Sequence, residues 1–500
     1  MSVYFGTEKI SLYAGGIAGE NVTNETSQQI DIISGLAVVT NTEITTPTGT
    51  NKEKLQINNT NLQGIKTNLT HPTEFKIISP PNKIEYQEDE ALDLTGLVVT
   101  ATFNDGTSLD VTSQCTITPA NGTVLKPSVD AISIIYVYNS VEYTASQPIT
   151  VTPNTTIYGV SWDGTSTTAW SRTDAAELFT NPVPYVSGAS SYSSPFDRCS
   201  PWKDMQIVND ATAGKLVSIP KYYYKWTKTG NTMKLQIADG PADGFHVSPA
   251  HADRGDGRGE RDVVYVGRYH CNSSYKSAAG SNPLGSMTRA TARTNIHNLG
   301  STYWQYDFAM YWTICMLYLV EFADWNSQTK IGHGCSTSNN FMSMGYTDSM
   351  PYHTGTTASS RTSYGGTQYR YIEGLWDNVY DWCDGIYFSG ANIYCIKNPS
   401  SFSDSSGGTH IGTRSTSGGW IKSWNVPTAS GFEYALYPAT VGGSDSTYTP
   451  DYCYCVSSGV VLLVGGSYSQ DAGRGLFYLD GGGSASYSSS SIGCRLQKLP

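Results

Sequence analysis

All 11 tryptophans and nine of the ten cysteines lie after residue 153. A chain that segregates its core-forming side chains in this way is not building one core of uniform kind. At 500 residues it also exceeds what a single core usually organises. Charge changes at the same place. Residues 1–153 carry 7 Lys, no Arg and 16 Asp plus Glu, which accounts for −9 of the total charge of −11. The remainder is nearly balanced, with 24 basic and 26 acidic residues.

Only 15% of residues are charged, against about 25% in an ordinary soluble chain. The mean hydropathy is nevertheless −0.31, so the polarity comes from Ser, Thr, Asn, Gly and Tyr. Helix-rich enzymes fill their exposed faces with Lys and Glu, and this balance points away from them. It suits a β- and loop-rich chain, and with the C-terminal resemblance given below the expected class is mainly β with an α+β C-terminal domain. The acidic net charge argues against nucleic-acid binding, which needs a basic face. The start, MSVYFGTEKISLYAGG, lacks the basic and apolar regions of a signal peptide. The richest apolar run, residues 309–322, is too short to span a membrane. Folding in a cytoplasm without membrane insertion is therefore expected, with the cysteines mostly reduced thiols. Cys453 and Cys455 are too close in sequence for an easy mutual bridge.

Residues 74–153 alternate like strands in FKIISPPNKIEY, LVVTATFNDGTSLDV and AISIIYVYNSVEYTASQPITV, and Asn104-Asp105-Gly106 predicts a hairpin turn. A small β-sandwich fits. The order of strand, Pro-Pro, Glu-rich bend and LDLTGLVVTATFNDGTS resembles bacterial immunoglobulin-like domains of surface and phage virion proteins, which usually act as spacers. Residues 1–73 are Thr- and Asn-rich. Leu55, Leu62 and Leu69, with Ile65 between them, could seed a short helical oligomer seam. Asn58, Asn59 and Gly64 weaken it, and an extended arm docked on a partner is an equal reading.

The C-terminal part, 154–500, is dense in aromatics and Gly. Its clearest helix is expected over 306–325, apolar on most sides and therefore a core helix. The next helical candidate is the tryptophan-rich stretch near Trp376. Three stretches, YLVEFADWNSQTKIGHGC (318–335), YRYIEGLWDNVYDWCDGIY (369–387) and the ending from 462, come in an order that resembles the C-type-lectin-like fold of the formylglycine-generating-enzyme type. The nearest branch is the variable proteins of diversity-generating retroelements, which include phage tropism determinants. Asp377 and Tyr380 stand where that family more often has Gly and Trp, and Cys494 replaces a frequent aromatic residue or Ala.

The ending also speaks for itself. Residues 465–496 hold 8 Ser, 8 Gly and 3 Tyr among 32, with no Lys, Glu, Met or Trp. Tyr offers amphipathic area at low entropic cost while Ser and Gly adapt, as in an antibody paratope. Leu476, Phe477, Leu479, Ile492 and Leu496 punctuate the segment like framework positions, which a flexible linker does not need. The retroelement resemblance implies miscopied adenines, so that AAT or AAC codons become NNT or NNC. Asp471, Arg474, Asp480, Gly482, Gly483, Tyr487, Ser489 and Ser491 belong to the types such codons permit, whereas Gln470 does not. STYTPDYCYCVSSG, residues 446–459, contains only permitted types, which makes Cys453, Cys455 and Cys494 products of random codons. The expected variable surface, within about 446–496, is Tyr452, Tyr454, Tyr468, Ser469, Asp471, Arg474, Asp480, Gly482, Gly483, Tyr487, Ser489 and Ser491.

Other chemistry carries less weight. The fold resemblance raises oxidation of a target cysteine to formylglycine, yet the only close pair, Cys453 and Cys455, has no basic neighbour in sequence to activate a thiol. DGFHVSPAHADRGDGRGERD, 243–262, gathers His246, His251 and five carboxylates interleaved with Arg254, Arg258 and Arg261. Its spacing does not match an EF-hand, so a charge-paired loop is preferred over a Ca²⁺ site. HExxH, GxSxG and P-loop patterns are absent. Trp420 and Trp424 suit either sugar stacking or core packing. What the resemblance implies is a non-enzymatic phage tail protein, assembled in the host cytoplasm and carried on the virion. It would be a homotrimer that contacts other tail proteins and binds a host-cell surface protein or glycan. A virion decoration or baseplate protein without a ligand is the alternative.

Overall fold

The structure is a computed structural model that describes residues 2–5, 8–11, 70–152, 154–335, 340–470 and 473–500. Of the first two segments, Ser2–Phe5 and Glu8–Ser11, it gives the backbone of an antiparallel pair. Leu55, Leu62, Ile65 and Leu69 lie outside the described residues, as does Asp471. Two compact units divide the chain, Met1–Pro153 and Asn154–Pro500, at the position where Trp, Cys and charge change. Strands hold 38% of the described residues and helices 10%, which makes the class mainly β. No helix among the described residues is long and apolar enough to cross a membrane.

In the first unit, Pro72–Ser79, Val98–Phe103 and Ser108–Asp110 form one antiparallel sheet, and Thr116–Thr118, Ala131–Tyr138 and Val141–Pro148 form a second. Alternate residues point inward. Val99, Ala101 and Phe103 share a core with Ile132, Ile134 and Tyr136, which is the half-buried period of two expected of sandwich strands. At the anticipated turn the Phe103 amide donates to the Thr107 carbonyl at 2.8 Å, and Gly106 takes a φ of 84°. Asn139 and Ser140, at φ 49° and 66°, make the second tight hairpin. Positive φ at both positions matches the right-handed twist of the strands they join.

The second unit is arranged around the helix Phe308–Phe322, whose 15 residues are all buried. It is shorter at both ends than the expected 306–325. The Asp307 side chain accepts from the Met310 amide at 2.8 Å and caps the start, and Ala323 turns left-handed at φ 49° and stops it. A further helix, Arg289–His297, has no apolar stripe to announce it, because Arg289 occupies a core position. Its guanidinium donates to the carbonyls of Cys383 and Ile386 at 2.9 and 2.7 Å. The stretch near Trp376 is not helical. Arg370, Tyr371, Asp377 and Asn378 all have positive φ there, and the Trp376 indole is anchored on the Gly332 carbonyl.

Sheets surround the helix. The C-terminal strand Leu496–Lys498 lies between Val263–Gly267 and Tyr303–Gln305. A seven-stranded sheet runs in the order Tyr437–Val441, Ser417–Asn425, Thr449–Val456, Leu479–Gly483, Val461–Val464, Tyr380–Cys383 and Ile492–Gly493. Trp312, Trp325 and Trp424 pack with Phe477 in one aromatic cluster.

Glu321 places a carboxylate inside this core, which is costly unless every oxygen is paired. Arg370 Nη2 and Ser194 Oγ donate to Oε1 at 2.5 and 2.7 Å, while Arg370 Nε and Tyr369 Oη donate to Oε2 at 3.0 Å each. Arg370→Met leaves that charge uncompensated and is expected to cost about 3–5 kcal/mol, read as a lowered denaturation midpoint. The double variant Glu321→Gln/Arg370→Met is expected to recover part of the loss.

Candidate functional site

Strand Thr449–Val456 has two unlike sides. Asp451, Cys453 and Cys455 point inward and are buried, whereas Tyr454 is 47% exposed and Tyr452 half-buried. Its parallel neighbour Leu479–Gly483 sets Asp480 beside Tyr454, and the Tyr454 ring lies over Gly482. On the other side Ser417–Asn425 pairs Trp420 with Tyr452, the rings meeting edge to face at 5.8 Å. Arg474 joins the group from the preceding loop. Its guanidinium carbon lies 4.4 Å from the Tyr478 ring centre and 5.5 Å from that of Tyr452. Tyr380 continues the row at 5.7 Å from Tyr478.

Five of the expected surface residues, Tyr452, Tyr454, Arg474, Asp480 and Gly482, are thus brought together. Gly483 lies next along, its carbonyl accepting from the Val460 amide at 2.8 Å. Tyr487 is 49% exposed. Ser489 and Ser491 are hydroxyl-paired at 3.1 Å, and their carbonyls accept from the amides of Ser286 and Tyr380. Tyr468 packs on Phe341 at 5.8 Å instead, with the exposed Ser469 beside it. Trp420 joins the face without having been assigned to it from sequence, whereas Tyr478 and Tyr380, 2% and 5% exposed, are core residues that back it. Trp420 and Tyr380 come from segments far from the Ser- and Gly-rich ending, and the sheet order brings them to it.

The loop carrying Arg474 is fixed from beneath. Both oxygens of Asp451 accept backbone amides, Gly475 N at 2.6 Å and Phe477 N at 2.8 Å. Ser327 Oγ takes the Leu476 amide at 2.9 Å, and Tyr311 Oη donates to the Leu476 carbonyl at 3.0 Å. A Cβ on Gly475 would lie 2.6 Å from Ser327 Oγ and 2.7 Å from an Asp451 oxygen, so no larger residue fits. Gly483 differs, since a Cβ there meets its nearest atom at 3.4 Å, an ordinary contact. Gly482, also expected to vary, is tight like Gly475, since a Cβ there meets the Tyr454 ring at 2.6 Å.

All ten cysteines are free thiols. Cys453, Cys455 and Cys494 are 0%, 1% and 0% exposed. They are core residues and not part of a displayed strip. Cys453 and Cys455 approach to 2.6 Å between sulfurs. Although no basic residue neighbours them in sequence, the fold brings up Arg414, whose positive charge favours both thiolates. Burial dominates at Cys453 and pushes its thiol up. Trp424 is likewise core, its indole donating to Thr449 Oγ1 at 2.9 Å.

No family model matches the chain, and no curated protein matches it significantly. Among the described residues, no three of His, Cys, Asp and Glu gather in a way that could hold a metal ion. In the 243–262 loop the charges are paired: Asp262 with Lys221 at 2.7 Å, Asp256 with Arg261, and Arg254 with Asp307 at 2.8 Å. His251 is buried, with Nδ1 2.6 Å from Ser248 Oγ.

Burial raises the Asp451 carboxyl to about 6, against the pull of its two amide bonds. Its folded form therefore binds protons more tightly than the unfolded chain. Its contribution to stability is fully present below the unfolded pKa and declines as pH rises to about 6. Asp451→Asn is expected to remove this slope, measured as the wild-type minus variant stability between pH 4 and 7. Asp451→Ala orphans two amides and is expected to cost about 1–3 kcal/mol, with faster hydrogen exchange at Gly475 and Phe477.

Proposed function

We propose that the protein is a phage receptor-binding protein of the tail tip or fibre. In this reading the C-terminal unit has the C-type-lectin-like fold and presents a diversified surface to a host-cell ligand. The observation that carries the proposal is the two-sidedness of Thr449–Val456 and its neighbours. Tyrosines that suit recognition point outward, directly above carboxylate and thiol positions locked in the core. Asp377 adds support. It stands where the resembling family more often has Gly, and it holds a φ of 137°, a conformation that favours glycine.

The sandwich of the first unit would serve as a bacterial immunoglobulin-like spacer and residues 1–73 as the virion-attachment arm. A homotrimer would multiply weak single-site contacts into useful avidity. Recognition requires no covalent chemistry. The buried Cys453 and Cys455 lack the access that a target-cysteine oxidase needs.

Two experiments test the reading. The DNA flanking the coding region is expected to carry a near-copy of its 3′ end that differs at adenines, beside a reverse transcriptase. Tyr452→Ala/Tyr454→Ala is expected to abolish adsorption of virions to host cells, or cell binding by the purified chain, with the melting temperature little changed. Undiminished adsorption, with neither the repeat nor the reverse transcriptase, would instead favour a structural virion protein.

A further inference from the structure

Among the described residues Arg474 has no ion-pair partner within 4 Å, although Asp451 and Asp480 feel its charge. No described residue makes an ion pair or a hydrogen bond with its guanidinium, and Nε is buried without a partner. The two nearby carboxylates are engaged elsewhere, Asp451 with the amides of Gly475 and Phe477 and Asp480 with the amide of Gly482 at 2.9 Å. What holds the guanidinium is aromatic, with Tyr478 at 4.4 Å and Tyr452 at 5.5 Å.

This arrangement has a specific consequence. A guanidinium stacked on rings keeps its N–H edge available for two parallel bonds to a carboxylate. Arg474 is half-buried, so part of its side-chain entropy is lost before any partner arrives, which lowers the cost of binding. Bonds to a charged partner in such partly desolvated surroundings are stronger than in water.

We infer that Arg474 is the anchor for a carboxylate on the partner, and that the partner is a protein presenting an Asp or Glu among apolar side chains. This rests on the display-face reading. A protein is favoured over an acidic sugar because the accessible groups around Arg474 are the rings of Tyr454, Tyr452 and Trp420 on adjacent strands. One cavity of about 390 Å³ in this unit is lined by Asp210, Leu216, Tyr265, Tyr303 and Lys498 among others, none of them residues of the face. Single small ligands are bound in concave sites, whereas aromatic and Arg side chains on a broad surface are the usual anchors between proteins. A nucleic-acid or phosphate-rich partner would need several cations, and Arg474 is the only one among the face residues named above.

The test is a random-peptide library selected on the full-length chain, with Tyr454→Ala as the control for the face and Arg474→Gln and Arg474→Lys for the anchor. Selected peptides are expected to share an acidic position. Changing that acid to its amide is expected to weaken binding to the wild type by about tenfold or more, and to Arg474→Gln by less than about twofold, the pattern of two directly coupled groups. Arg474→Lys keeps the charge but loses the paired geometry, and is expected to fall between. A purely structural role for Arg474 would not produce this coupling. Peptides with no common acid, or an acid-to-amide loss equal in wild type and both variants, would overturn the anchor and leave the display face standing. Peptides that bind Tyr454→Ala as well as wild type would overturn the face itself. A library without binders would overturn the choice of a protein partner.

Discussion

The proposed binding face depends on a carboxylate that no solvent reaches. Asp451 sits at the inward side of its strand and takes the amides of Gly475 and Phe477 on its two oxygens. Those two bonds hold the loop that carries Arg474 against the strand that carries Tyr452 and Tyr454. Phe477, delivered by the same loop, inserts into the aromatic cluster of Trp325 and Trp424. Loop position, core packing and surface geometry are therefore one linked arrangement. An unpaired amide in this place would cost more than a surface bond is worth.

That linkage lets the outside vary while the inside stays fixed. Strand geometry sends successive side chains to opposite faces, so a change at Tyr454 leaves Cys453 and Cys455 untouched. Arg414 adds a second constraint from within, donating to the carbonyls of Gly481, Val456 and Gly459 at 2.7, 3.1 and 2.8 Å. Arg495 binds Asp381 together with the carbonyls of Gly267, Glu373 and Gly374. Buried guanidiniums with several backbone acceptors crosslink segments that hydrophobic packing alone would leave free to shift. A rigid scaffold beneath adaptable polar and aromatic side chains is how recognition loops combine affinity with tolerance.

Much of this was legible in the sequence because it rests on local pattern. The hairpin at Asn104-Asp105-Gly106, the alternation of the first unit and the apolar helix within 306–325 all follow from periodicity and turn chemistry. Tyr452, Tyr454 and Arg474 were picked out by residue type. The helix Arg289–His297 was hidden because its core-facing position is an arginine satisfied by carbonyls about 90 residues away. Trp420 was hidden because the sheet order brings it beside Tyr452, and no local signal encodes that order. Composition also misled at Cys453 and Cys455, since codon-permitted residue types do not reveal which side of a strand they occupy.

Deep sequencing of the coding region across a propagated population tests the proposal of a diversified face most directly. Substitutions are expected at outward positions such as Tyr452, Tyr454, Arg474, Asp480, Gly483 and Tyr487, with Asp451, Cys453, Cys455, Gly475, Phe477 and Arg495 unchanged. Substitutions spread evenly over inward and outward positions, or none in this region, would contradict a surface built for variable recognition.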